Sequence, residues 1–231
     1  MEMFNEYSED EKMDKIIGIF RKYDLTPDIV RKIADMIDPL DEKDELSPVN
    51  LKTNDISQLT LPDFHYLRRK LNMTSSTYKR TKGVWEGRGG QFDYSDNPME
   101  DSSYTKSFYI HIDFSPTGRK RLYIGQMLND GEYKTKTGKG IRIYEDGEFE
   151  EGYWLHNKQH YKGRCIYKMG GCYEGGFNQD DKHGKGTYIF LNGSRFEGYY
   201  FKDDRQGYGT EYNANGEVVK KGKWNDNVFQ G

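Results

Sequence analysis

The stretch that most invites a chemical reading is His183-Gly184-Lys185-Gly186-Thr187, whose glycines and lysine are the ingredients of a phosphate-cradling loop. A Walker-type loop needs Gly, four residues, then Gly-Lys and Ser or Thr at a helix start, so that free backbone N–H groups surround the phosphates. The nearest approach in this chain, GEYKTKTGKG from Gly131, has six intervening residues, ends in Gly and precedes a strand-like run. Its spacing argues against a nucleotide site. His156, His160, Cys165 and Cys172 are residue types that bind zinc well. They follow no structural zinc spacing, however, and His160 and His183 stand at equivalent places 23 residues apart. The acidic pairs Asp180-Asp181 and Asp203-Asp204 recur at the same interval, which suits exposed turns better than a general acid and base. No catalytic residue, no metal ligand and no cofactor is expected, and the chain reads as non-enzymatic.

The recurrence itself is the stronger signal. TGKGIRIYEDG begins at Thr137, HYKGRCIYKMG at His160, HGKGTYIFLNG at His183 and QGYGTEYNANG at Gln206, a constant spacing of 23 residues. A second element fills the other half of each period: YIGQM at Tyr123, EGYW at Glu151, YEGGF at Tyr173, FEGYY at Phe196 and KKGKW at Lys220. Alternation along such a run places its first, third and fifth side chains on one face of a strand. The central glycine leaves a gap that a ring from a neighbouring strand can enter. Ile143, Ile166, Ile189 and Tyr212 hold one equivalent position in the other run, which reads as a second half-buried strand. Each period is then a β-hairpin, with two-residue turns expected at Asp146-Gly147, Gly170-Gly171, Asn192-Gly193 and Asn215-Gly216. A hairpin of this size cannot bury enough surface alone, so the units must stack.

The pattern resembles the MORN repeat family, most closely at Tyr173-Glu174-Gly175-Gly176-Phe177 with His183-Gly184-Lys185-Gly186 and Asn192-Gly193. The resemblance covers about residues 120–231 and implies a single-layer antiparallel β-hairpin solenoid, mainly β in class. Tyr161 in place of a glycine and Glu150 in place of an aromatic depart from the pattern. The glycines expected to shape the array are Gly125, Gly152, Gly175, Gly184, Gly186, Gly198, Gly207, Gly209 and Gly222. The rings at Tyr153, Trp154, Phe177, Tyr199, Tyr200 and Trp224 are the candidates for contact with a partner helix or extended peptide. Proteins with similar repeats occur in ciliary, cytoskeletal and membrane-contact assemblies, so the resemblance implies a scaffold or interaction subunit in such a setting. Phosphoinositide or membrane-surface binding, or an accessory place in an enzyme complex, are the alternatives.

Ahead of the array, Met13, Ile16, Ile17 and Phe20 are spaced for one helix face, over about residues 8–23. Thr26-Pro27 opens a second helix carrying Ile29, Val30, Ile33 and Ile37. A third begins near Leu61-Pro62-Asp63, with Phe64, Leu67 and Leu71 on one side. The polar run NMTSSTYKRTKG reads as the boundary that follows, which divides the chain into a small α-helical N-terminal region, 1–80, and a β array, 81–231. Within the array, degenerate strands are expected over 81–122 and regular repeats over 123–231. Of the 231 residues, 34% are hydrophobic but 15% are aromatic, so the core must rely on rings. With 35 basic and 38 acidic side chains interspersed, no basic stripe offers itself to nucleic acid. Two cysteines and an acidic start without a signal-like segment point to an intracellular, cytoplasmic setting. The expected partners are other proteins, a second copy through the C-terminal repeat and, as second choice, a membrane surface.

Overall fold

A computed structural model describes residues 61–62, 64–90, 92–94, 107–129 and 134–231, and the first two expected helices lie outside them. The third is present as α1, Phe64–Leu71, with Arg68, Arg69 and Lys70 in its last turn, where cations suit the helix dipole. It stops at Asn72, whose φ of 58° ends the helical path while its N–H donates to the Arg68 carbonyl at 2.9 Å. The polar run expected as a boundary is instead a second helix, α2, Ser75–Gly87. Thr74 caps it by accepting the Thr77 N–H on its hydroxyl at 3.2 Å. Residues 83–87, expected as degenerate strand, are therefore the end of a helix, and the border drawn after residue 80 falls inside it. α2 escapes notice because Thr81 is its one buried residue, so it carries almost no apolar period.

The remainder is one antiparallel sheet of 11 strands in strict chain order. The strands are β1 Ser107–Phe114, β2 Lys120–Asn129, β3 Lys134–Tyr144, β4 Phe149–Leu155, β5 Lys158–Ile166 and β6 Cys172–Asn178, then β7 Asp181–Ile189, β8 Arg195–Phe201, β9 Asp204–Tyr212, β10 Val218–Asn225 and β11 Val228–Phe229. The single-layer hairpin array expected from the repeats is thus present and mainly β, and the described helices precede it. Register fixes which side chains share a face. Leu122, Ile143, Phe149, Ile166 and Cys172 form one cross-strand row, and this row packs against Tyr66, Leu67, Leu71 and Met73 from α1 and the turn after it. We call this side the helix face. Tyr123, Arg142, Glu150, Cys165, Tyr173, Tyr188 and Phe196 form a row on the other side, the ring face.

Glycine runs straight across the ring face. Gly125, Gly140, Gly152, Gly163, Gly175, Gly186, Gly198, Gly209 and Gly222 pair with one another from β2 to β10. Seven of these were expected as shaping glycines; Gly140 and Gly163 complete the row. Tyr173 lies over Gly175 and Gly186, and Phe196 over Gly198 and Gly209, so a Cβ would sit 2.6 Å from the Tyr173 hydroxyl at Gly175 and 2.6 Å from ring atoms at Gly186 and Gly198. Gly184 and Gly207 do something different. With φ of 70° and 72° they lie inside β7 and β9, where the register shifts against the preceding strand. They are bulge residues and not the bend that returns the chain.

Two kinds of bend alternate. At the ends expected from Asp-Gly and Asn-Gly, the chain reverses through a three-residue loop whose glycine follows an ordinary turn: Gly147, Gly170, Gly193 and Gly216 have φ of 82–92°. Each donates its N–H to a carbonyl three residues back, as Gly147 does to Tyr144 at 2.9 Å. The two-residue turns with both residues at positive φ are at the other ends, His156-Asn157, Gln179-Asp180, Lys202-Asp203 and Asp226-Asn227. The second residue of each grips the preceding repeat. Asn157 donates its N–H to the Lys136 carbonyl at 3.0 Å and accepts the Lys136 N–H on its side chain at 2.8 Å. Asp180 grips Gln159, Asp203 grips Lys182 and Asn227 grips Arg205 in the same way. The first member of each recurring acidic pair, Asp180 or Asp203, is accordingly a turn residue with a stacking role, and the second opens the next strand.

Candidate interaction surface

On the ring face the aromatics cover one another. Tyr173 meets Phe177 and Tyr200 edge-on, each at 5.1 Å between centroids; Phe196 meets Tyr200 at 5.5 Å and Trp224 at 5.1 Å. Tyr123 and Trp154 form the corresponding pair at 5.5 Å. Cations lie over this layer: Arg142 at 4.5 Å from the Trp154 ring centre, Arg205 at 4.3 Å from Trp224. Glu150, standing where the repeat calls for a ring, is buried and ion-paired with Arg142. Burial raises the pKa of its carboxyl and the Arg142 charge works against the rise. Trp154, Phe177, Tyr200 and Trp224 are thereby buried in the chain's own core, and they offer no surface to a partner.

The helix face is divided. Over β3 to β5 it is covered by α1, α2 and the extended residues 92–94. Phe92 and Tyr94 pack with Tyr153, which is wholly buried. The Tyr94 carbonyl accepts the Tyr153 hydroxyl at 2.9 Å and the Lys139 ammonium at 3.1 Å, while the Tyr94 hydroxyl donates to the Gly140 carbonyl at 3.2 Å. Beside this contact lies a buried ion pair. Arg164 donates through Nε to Glu151 at 2.6 Å and through its other nitrogens to the carbonyls of Arg88 and Gly90, tying the end of α2 to the sheet. Burial pushes the Glu151 carboxyl up to about 7, against the pull of Arg164.

Past β6 no described residue covers the helix face. Tyr199 is 52% exposed, Phe201 51% and Tyr208 64%, with exposed Lys185 and Lys223 beside them in the register. Lys185 pairs with Tyr199 across β7 and β8 as Lys139 pairs with Tyr153 across β3 and β4. Tyr199 is therefore the one expected contact residue of the six that reaches solvent, and Tyr208, Phe201 and Lys185 are surface residues the sequence reading missed. Their signal was present in the register: each lies on the side of its strand opposite the central glycine. A smaller apolar rim is formed by Met169, Phe190 and Leu191 at the loop ends.

The residues first weighed for metal chemistry are dispersed. Cys165 lies on the ring face, where its thiol donates to Gln159 Oε1 at 3.1 Å, and Cys172 lies on the helix face in the apolar cluster. His156 is an exposed turn residue, and His160 accepts the Gln179 N–H on Nδ1 at 3.3 Å. No group of three or more His, Cys, Asp or Glu side chains among the described residues is arranged to hold a metal ion. No helix among them is long and apolar enough to cross a membrane.

No curated protein matches the chain in sequence. The MORN repeat family model matches residues 151–172, 173–195 and 196–218. These spans begin at β4, β6 and β8, so each holds an aromatic-glycine strand, a two-residue turn and the strand that returns from it. Such repeats point to a module that binds proteins or membranes, and residues 151–218 of this chain match three of them in succession.

Proposed function

We propose that the chain is a non-enzymatic protein-interaction subunit and that it receives its partner on the bare helix face of β7 to β10. One observation carries this reading. The sheet is repetitive, yet its first half is covered by the chain's own helices and residues 92–94 while its second half leaves Tyr199, Phe201 and Tyr208 in water. Clustered exposed rings on a rigid sheet are the usual anchor of an interface. The setting we propose, a ciliary or cytoskeletal assembly, rests on the resemblance of the repeats alone. A cross-linked pull-down from native lysate, comparing the wild-type chain with a Tyr199→Ala, Tyr208→Ala variant, tests it. Loss of the specific partners in the variant is expected, and recovery of the same partners would overturn the reading.

A second reading has its own observation, the exposed rim of Met169, Phe190 and Leu191 beside Lys168, which could enter a lipid surface. Co-sedimentation with anionic vesicles at two salt concentrations, lost in a Met169→Ser, Leu191→Ser variant, would favour it. Self-association would use the outer edge of β10, which β11 and the two residues after it cover only from Lys223 to Asn225. A concentration-dependent sedimentation coefficient is its expected signature.

A further inference from the structure

We infer that the bare helix face takes an extended segment bearing an aromatic-acidic-aromatic triplet, bound as this chain's own Phe92-Asp93-Tyr94 is bound two repeats earlier. The inference rests on the interaction reading above and specifies the partner's chemistry. Its ground is an internal duplication. Lys139 and Lys185 are 46 residues apart, as are Tyr153 and Tyr199, and each lysine is paired in register with its tyrosine on adjacent strands. At the first copy the pair is occupied. Tyr94 turns its ring edge to Tyr153 at 5.8 Å, its carbonyl takes both the tyrosine hydroxyl and the lysine ammonium, and Phe92 closes against Tyr94 at 5.0 Å. At the second copy the same two side chains stand in solvent.

The row that holds α1 does not persist in the same way, and this separates an extended segment from a helix. Leu122, Ile143, Phe149, Ile166 and Cys172 give way across β7 to β9 to Ile189, Arg195 and Tyr212. Arg195 is stacked on Tyr212 at 3.9 Å and ion-paired with Glu197 at 2.6 Å. An amphipathic helix would lose its aliphatic seat there and meet a charge. An extended segment keeps the lysine and the tyrosine that hold Tyr94, and gives up only the grip on its N-terminal end, where Thr210 stands in place of Arg164. The acidic centre of the triplet follows from charge complementarity. Lys185, Lys221 and Lys223 are exposed on this half of the face, whereas Glu197 is already engaged by Arg195.

The probe is a fluorescent peptide with the sequence of residues 88–96, RGGQFDYSD, titrated by anisotropy into the full chain. Saturable binding is expected. It should weaken at least about tenfold with Tyr199→Ala or Lys185→Glu in the protein, and equally with Phe92→Ala, Tyr94→Ala in the peptide. Both protein positions are exposed, so thermal melts of the variants should match the wild type. No saturable binding, or binding that ignores Tyr199 and Lys185, overturns the inference. If the pull-down partners depend on Tyr199 while this peptide does not bind, the interaction reading stands and the extended-segment chemistry falls.

Discussion

Adding a single methyl group at Gly186 probes the packing principle of the array. The Cβ of Gly186→Ala would lie 2.6 Å from Cε2 and Cζ of Tyr173, about 1 Å inside ordinary contact. The backbone at Gly186 has no left-handed φ, so the cost is one of space and not of conformation. The ring has nowhere to retreat. It is fully buried between Phe177 and Tyr200, and its hydroxyl donates to the Gly176 carbonyl at 2.9 Å. Overpacking of this kind costs roughly 1–3 kcal/mol, and displacing the hydroxyl adds about 1 kcal/mol. A loss of about 2–4 kcal/mol follows, which lowers the thermal midpoint of a chain this size by about 5–15 °C. Differential scanning calorimetry reads it directly. Gly83→Ala on α2 is the control, since no atom lies within 4 Å of the added carbon and a helix gains roughly 0.5–1 kcal/mol from the exchange. Combining Gly186→Ala with Tyr173→Leu should cost less than the two changes added together, because the space the ring vacates receives the methyl. A Gly186→Ala protein within about 0.5 kcal/mol of wild type, or strict additivity in the double variant, would refute the account of why these glycines are there.

Three further outcomes follow from local geometry. Tyr161 has φ of 63° at the bulge position that Gly138, Gly184 and Gly207 fill elsewhere, and its ring is 41% exposed, so Tyr161→Gly should stabilise the chain by about 0.5–1 kcal/mol in urea unfolding. Asn157→Ala removes the acceptor for the Lys136 N–H and keeps φ of 71°, for a loss of about 1–3 kcal/mol, while Asn157→Asp should be close to neutral. Glu151 titrates in the folded chain near 7 against 4.5 in its unperturbed state, so the folded form holds the extra proton between those values. Its contribution to stability is complete below about pH 4.5 and is lost as pH rises through about 7. The stability of wild type minus that of Glu151→Gln should therefore fall, as a signed quantity, by on the order of 3 kcal/mol from pH 4.5 to pH 7; a signed difference that rises or stays level contradicts the assignment.

Most of the array was legible because its determinants are local and repeated. The glycine between two rings announces a strand with a gap, and the constant spacing of 23 residues forces equivalent strands into register. Asp-Gly and Asn-Gly mark ends where the chain does reverse, but through three-residue loops and not the two-residue turns expected of them. The two-residue turns are built from His156-Asn157 or Lys202-Asp203, whose side chains matter as grips on the previous repeat, a contact 21 residues away. The surface was legible only in part for a related reason. Tyr153 and Tyr199 occupy the same repeat position, and nothing local distinguishes them. One is buried and the other exposed because residues 92–94 lie over the first alone. Rings on the glycine side of each strand looked like an interface, whereas the gap beneath them makes them core.

The central claim, that the helix face of β7 to β10 is where the partner lies, is tested most directly by covalent footprinting of lysine and tyrosine in the chain alone and in its native assembly. The account predicts that Lys185, Tyr199, Tyr208 and Lys223 lose reactivity in the assembly while Lys182, on the ring face, keeps the reactivity it has in isolation. Unchanged labelling at those four residues, with protection appearing at Lys182 or confined to the loop ends around Lys168, would contradict it.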